Sequence, residues 1–227
     1  MGSAATLADV AGRRGRTYWL LARGFAEAPG SVLLCELITA LGPVNPAEAL
    51  AAETAAFADA LHSALSVDTA SEALAIEFTR LFGGISESYG GPPPFESVVR
   101  SGNWGGDIAL AVVAAYADVD IAPPLPDASP PDHLAAELRF LAIACHREAE
   151  AWQADDTQAA MDWVGRERDF LDRHVLRWVP EYCRQAAGMA ETPFYRALLA
   201  LTPRACELDR EDIDAIFESV PSFAENV

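Results

Sequence analysis

The sequence predicts an all-α fold, a single globular helical domain of about nine to eleven helices. Three observations predict it. Ala, Leu and Glu dominate the composition, whereas runs of β-branched residues are scarce. Apolar residues recur at helical spacing, and Gly or Pro pairs separate the stretches that carry them. No βαβ alternation, strand-rich section or internal repeat breaks this pattern. Half of the 227 residues are apolar (51%), enough to bury the core of one domain spanning 1–227. A subdivision near the 117–129 loop is the alternative organisation.

The first helix covers 4–27, with Tyr18, Leu21 and Phe25 on one face, and stops at Pro29-Gly30. Arg13-Arg14 ahead of Tyr18-Trp19-Leu20-Leu21 has the outward form of a twin-arginine export signal. The apolar stretch is short, however, is broken by Arg23, and leads to no small-residue cleavage site. A second helix over 31–41 stops at Gly42-Pro43. Ala47–Leu65 is Ala-rich, with Phe57, Leu61 and Leu65 four residues apart. Asp68 or Ser71 then caps a helix over Leu74–Phe82, which Gly83-Gly84 ends.

From Gly83 to Pro94, Gly and Pro erase the helical pattern, leaving a loop suited to surface binding. Patterning resumes near Glu96, is clear over 106–116, and gives way to the Pro-rich 117–129 loop. Pro130-Pro131-Asp132-His133-Leu134 opens the next helix, which runs to about Trp152. Prolines pre-set a first helical turn, where their missing N–H groups cost nothing. Ser129 fits as N-cap with Asp132 three residues on, in the manner of a capping box. Asp132 and His133 then stand in an exposed first turn, and Leu134, Leu138, Leu141 and Cys145 form a buried stripe. Asp155–Gly188 is a long helical tract, divided near Pro180 if it is two helices, with Phe170, His174 and Trp178 along one face. Helices over Pro193–Leu201 and Asp209–Phe217 close the chain, and the last ten residues are expected to fray.

All 16 basic residues are arginines, which excludes a lysine nucleophile, a Schiff base and a phosphate-loop lysine. Against 34 acidic residues the net charge is -18, so the chain should repel nucleic acid and anionic membranes and attract a basic partner. Nowhere do eighteen apolar residues run together, so no membrane span and a cytoplasmic location are expected. Cys35, Cys145, Cys183 and Cys206 form no C-x-x-C pair and read as reduced thiols. His62, His133, His146 and His174 stand in no metal-ligand spacing, and no nucleophile elbow or Gly-rich phosphate loop is present. The expectation is a protein that is not an enzyme and carries neither metal nor cofactor.

Binding features remain. An aromatic follows a rigid turn in Pro92-Pro93-Pro94-Phe95-Glu96-Ser97, where it serves either as a preorganised apolar contact or as a hydrophobic staple. Phe78, Leu81 and Phe82 have ordinary core spacing, which also describes one wall of a groove whose other wall is the Pro-Phe loop. Asp132-His133 offers a docking point for a positive charge, or a cap beside a surface histidine.

Four separated stretches together resemble the TorD/DmsD family of cytoplasmic redox-enzyme maturation chaperones, related to the NarJ type. They are Phe78-Thr79-Arg80-Leu81-Phe82-Gly83 leading into Pro93-Pro94-Phe95-Glu96-Ser97-Val98; Pro131-Asp132-His133-Leu134 with Glu137-Leu138; Phe170-Leu171 with His174-Val175 and Trp178; and Pro193-Phe194-Tyr195-Arg196-Ala197-Leu198. Their order and spacing match across 74–201. The resemblance implies a chaperone that binds the twin-arginine signal peptide and apo-form of a molybdopterin oxidoreductase's catalytic subunit until its cofactor is inserted. It implies Asp132 and His133 as a peptide-binding pair and Phe78, Leu81, Phe82, Pro94 and Phe95 as apolar groove positions, with Glu96 or Glu137 assisting. Phe95 departs from the Trp or Tyr that many members carry there, which bears on the choice of client. The alternatives are a GTP-binding helical switch, for which no phosphate loop is present, and a general helical adaptor. A monomer or a dimer swapped through the 117–129 loop is compatible with the sequence. An exposed Asp132-His133 pair further implies that Asp132→Ala with His133→Ala abolishes peptide binding while leaving the melting temperature nearly unchanged.

Overall fold

A computed structural model describes residues 4–42, 48–67, 69–84, 91–119, 121 and 130–220. These residues form ten α-helices: α1 (Ala4–Ala26), α2 (Ser31–Leu41), α3 (Ala51–Leu65), α4 (Ala70–Phe82), α5 (Glu96–Ser101), α6 (Gly106–Ala117), α7 (Leu134–Gln153), α8 (Thr157–Arg173), α9 (Val179–Met189) and α10 (Pro193–Ser219). Short 3-10 turns at Glu48–Leu50 and Val175–Arg177 join them, and no strand occurs among the described residues. The fold is all-α.

Helix α7 is the central element, because apolar side chains surround it on more than one face. Twelve of its 20 residues are buried, including Leu134, Leu138, Leu141 and Cys145 of the expected stripe. Helix α1 lies along it and α8 packs beside it, while α10 packs against α3 and α9. Two glycines let α1 approach α7 and α10 closely. A Cβ at Gly15 would stand 3.2 Å from the Cys145 Cβ, and one at Gly24 would stand 2.8 Å from Leu198. The buried apolar side chains of α1–α4 and α6–α10 form one continuous cluster.

A buried cation is set in that cluster. Arg14 of α1 donates to Glu148 of α7 at 2.6 Å, to Glu167 of α8 and to Asp209 of α10. Tyr18 donates its hydroxyl to Asp209 at 2.6 Å, and Trp152 donates its indole N–H to Glu148 at 2.9 Å. Cys145, Glu148 and Glu167 are close enough to share a metal ion, but the guanidinium already bonds both carboxylates. Three carboxylates against one cation would leave two negative charges in excess in a dry site. Burial, opposed by Arg14, accordingly pushes the Glu167 carboxyl up to about 8, with Glu148 and Asp209 adding to the rise.

Several boundaries differ from the sequence reading. Helix α7 starts at Leu134 with His133 as its N-cap, so Asp132 precedes the helix and is fully buried instead of exposed in its first turn. The Ser129 cap falls outside the described residues, as does Asp68. Helix α4 starts at Ala70 without a side-chain cap, so Ser71 does not cap it. The tract from 155 to 188 divides at His174–Trp178, where a 3-10 turn redirects the chain, and Pro180 occupies the first turn of α9. Helix α10 runs unbroken past Pro203, where two helices are expected. Buried residues on both sides of the proline, Leu198, Leu201, Ala205 and Cys206 among them, hold the helix together, and Thr202 donates its hydroxyl to the Leu198 carbonyl at 2.7 Å. Tertiary packing outweighs the local cost of the proline.

The raised Glu167 carboxyl keeps its proton in the fold where the unfolded chain has lost it. Stability therefore falls as pH rises from the ordinary value of 4.5 toward 8. Glu167→Gln, which keeps an acceptor for Arg14 without the charge, is expected to flatten that decline in urea unfolding curves; an unchanged slope would contradict a Glu167 carboxyl that keeps its proton in the fold.

Candidate peptide-binding site

Two segments far apart in sequence lie side by side and each runs into a helix. Phe95 and His133 form an antiparallel bridge. The Glu96 N–H donates to the Asp132 carbonyl at 2.9 Å, and the Leu134 N–H donates to the Pro94 carbonyl at 2.9 Å. Prolines on both segments leave few amides to satisfy, so two bonds suffice to lock the pair. Tyr116 of α6 adds a third tie, donating to the Pro131 carbonyl at 2.9 Å.

Asp132 completes the junction. Helix α5 has Phe95 at its N-cap position, with no side-chain oxygen to accept an orphan amide. Asp132 supplies that oxygen from the other segment: its Oδ2 accepts from the Ser97 N–H at 2.8 Å. The carboxylate is fully buried and its Oδ1 has no partner among the described residues. Asp132 thus braces α5 from within instead of standing exposed, and its removal is expected to lower the melting temperature.

His133 caps its own helix. Its Nδ1 accepts from the Ala135 N–H at 3.0 Å, an arrangement that requires a lone pair on that nitrogen. Burial lowers its pKa to about 4, with Asp132 pulling the other way, so the ring is neutral near pH 7.

On the outer side, the Phe95 ring packs between His133, at 5.0 Å between centroids, and Trp104, at 4.5 Å. Trp104 is 62% exposed, and sequence reasoning missed it. Its signal lay in the flanking glycines: Gly102, Gly105 and Gly106 have φ of 74°, 74° and 71°, a conformation that only glycine adopts readily. Ser97 Oγ accepts from the Gly105 N–H at 3.0 Å and ties this loop back to α5.

On the inner side lies a group of buried acids. Glu96 is fully buried, with one oxygen on Arg100 and the other 2.9 Å from His174 Nδ1. Glu137 is also fully buried and accepts from the Trp178 indole N–H at 3.1 Å, while its Oε1 is unpartnered among the described residues. Burial, reinforced by the Glu96 charge, raises the Glu137 carboxyl well above its ordinary value. The 3-10 turn after α8 is what brings His174 and Trp178 to these acids.

Pro94, Phe95, Glu96, Asp132 and His133 therefore come together. Phe78, Leu81 and Phe82 belong to a neighbouring cluster. The Phe82 ring packs on Phe25 at 5.3 Å, on Phe78 at 5.3 Å and on Tyr195 at 5.5 Å, and Leu81 is fully buried. Tyr195 and α1 cover this face, so Leu81 and Phe82 serve as core instead of forming an open wall opposite Phe95. Contact between the two groups runs through the chain at Gly84, where a Cβ would stand 2.8 Å from Pro93. Glu77 of α4 repeats the Asp132 device, accepting from the N–H groups of Glu191 and Thr192 ahead of α10.

Asp132→Ala is expected to lower stability by about 1–2 kcal/mol by uncapping α5, with Asp132→Asn retaining part of the loss. Equal stability of Asp132→Ala and the parent in urea unfolding would contradict the cap. The His133 ring is expected to titrate near 4 by NMR, its neutral form adding stability that is complete above the ordinary value of 6.5 and lost as pH falls through about 4. A midpoint near 6.5 would place the ring in solvent.

Among the described residues no helix is long and apolar enough to cross a membrane. Over 55 residues the chain is 46% identical to the selenate reductase assembly chaperone protein of Thauera selenatis, a match covering 24% of this chain and 28% of that protein. It is 41% identical over 64 residues to the chlorate reductase assembly chaperone protein of Ideonella dechloratans, covering 28% and 32%. These matches thus span about a third or less of either relative. Chaperone protein TorD of Vibrio vulnificus is 26% identical over 206 residues, covering 88% of this chain and 94% of that one. A crystal structure described as a redox enzyme maturation protein from Archaeoglobus fulgidus has the same fold, with a TM-score of 0.51 at 21% identity over 88% of this chain and 93% of that one. The named relatives are chaperones, not catalysts. The family model for the nitrate reductase delta subunit matches residues 47–184, a span that holds both bridged segments, and the chain belongs to that family, the NarJ/TorD group.

Proposed function

We propose that this protein is a cytoplasmic assembly chaperone for a molybdopterin oxidoreductase, binding the twin-arginine signal peptide and apo-form of the catalytic subunit until its cofactor is inserted. The observation that carries this reading is the bridge between Phe95 and His133, which gathers two widely separated segments into one place beside an exposed aromatic. The relatives named for selenate reductase, for chlorate reductase and as TorD support the assembly role.

The chemistry suits such a client. A signal peptide presents two guanidinium groups followed by an apolar helical stretch. Trp104, backed by Phe95 and His133, offers an aromatic surface to that stretch, worth about 1.5–3 kcal/mol for each large side chain fully buried. The net charge of -18 steers the basic end of the peptide toward the protein and makes binding weaken with salt. In this reading Asp132 and His133 act by holding α5 and the Trp104 loop in place, with Asp132 working through Ser97. Phe78, Leu81 and Phe82 act by fixing the end of α4 against Pro93.

Affinity-tagged protein recovered from its native cell is expected to carry one molybdopterin-enzyme catalytic subunit with its twin-arginine leader uncleaved. Trp104→Ala, which removes an exposed ring, is expected to recover several-fold less of it at an unchanged melting temperature. A client without such a leader, or equal recovery by the variant, would contradict the proposal.

A further inference from the structure

A cleft of about 710 Å³ opens between α6 and α8. Its apolar lining comes from Ile108, Ala111 and Ala115 of α6, Phe140 of α7 and Phe170 of α8. Arg100 and His174 stand together at one part of its wall, and these are the two residues that hold the buried Glu96. The cleft thus joins apolar surface to the two residues that cover a buried acid, and that acid is already occupied by an arginine of the chain itself.

We propose that this cleft binds an arginine-bearing apolar peptide segment, and that the incoming guanidinium takes the place of Arg100 on Glu96. The inference rests on the signal-peptide reading above and names the subsite within it. Arg100 is suited to leave: its side chain is 35% exposed, and it reaches Glu96 across a single turn of the short helix α5. Glu96 is not suited to stand alone, since it is completely buried. Exchanging one guanidinium for another keeps the buried charge paired throughout, so the large penalty of an orphaned carboxylate never arises.

The surroundings favour a second positive charge as well. Asp107 and Asp118 line the same cleft and take part in no ion pair among the described residues. The other two arginines there are engaged, Arg173 with Asp169 at 3.3 Å and Arg166 over the Trp163 ring at 4.8 Å. Asp132, whose carbonyl accepts from the Glu96 N–H, has a buried Oδ1 without a partner among the described residues, an acceptor that a planar guanidinium with five N–H groups can engage. The apolar stretch that follows the arginines then lies along the Ile108, Ala111 and Ala115 side of α6.

The test uses the full chain and a synthetic peptide of two arginines followed by about ten leucine and alanine residues, titrated by fluorescence anisotropy. Arg100→Ala, and Arg100→Gln to preserve the packing of the stem, are expected to bind about fivefold tighter than the parent because the internal competitor is gone. Ala111→Arg, on an exposed position of α6, is expected to bind about tenfold weaker by filling the cleft and repelling the peptide. A lysine-for-arginine peptide is expected to lose most of the Arg100→Ala gain. Equal or weaker binding by both Arg100 variants, unchanged binding by Ala111→Arg, or no binding by any of the proteins would overturn the assignment. Recovery of a twin-arginine client by the tagged chain alongside any of these results would sink the cleft alone and leave the chaperone reading standing.

Discussion

The guanidinium of Arg14 is the constraint on which the rest of the structure depends. It sits in the interior between α1, α7, α8 and α10, and each of the last three contributes a carboxylate to it. A buried cation without partners is costly by several kcal/mol, and so is each buried carboxylate. The four helices consequently share one register in which the cation meets all three carboxyl groups, with the Glu167 carboxyl raised to about 8. The glycine at position 15, one residue along, permits the close approach of α1 to α7 that this register demands. Such a knot adds little net stability over a well-packed apolar core, but it penalises every other arrangement of the helices.

What Arg14 does for the C-terminal half of α7, Asp132 does just ahead of its N-terminus. A carboxylate from one element satisfies a helix-start amide of another, and Glu77 does the same ahead of α10. These cross-caps position short elements that have little packing of their own. Helix α5 has six residues and cannot hold its orientation by propensity. Bracing by Asp132 lets it present Phe95 and the Trp104 loop on one side and Arg100 on the other. In the proposed function the link is mechanical: residues implied as contacts by family resemblance would act largely as the frame for contacts.

Much of the helical layout was legible because apolar periodicity and Gly or Pro stops are local signals. The ends of α1, α2 and α4 follow from Pro29-Gly30, Gly42 and Gly83. The continuity of α10 through Pro203 was not legible, since the packing that overrides the proline comes from elsewhere in the fold. Nor was the burial of Asp132, whose partner lies 35 residues away and leaves no trace in local spacing. The Arg14 knot did leave one. Arg14 lies on the stripe of Tyr18, Leu21 and Phe25, Glu148 continues that of Leu141 and Cys145, and Asp209 falls with Cys206 and Ile213. A charged residue on an apolar stripe signals a buried partner on another helix, although it cannot say which one.

The proposed client site is α5, the Trp104 loop and α6, beside the junction that Asp132 braces. Hydrogen exchange of the full chain, with and without its client's signal peptide, tests this most directly because it reports every helix at once. Added protection is expected over residues 96–117 and around His174. Protection confined to the apolar surface of Trp19 and Val32 on α1 and α2, with α5 and α6 unchanged, would contradict it.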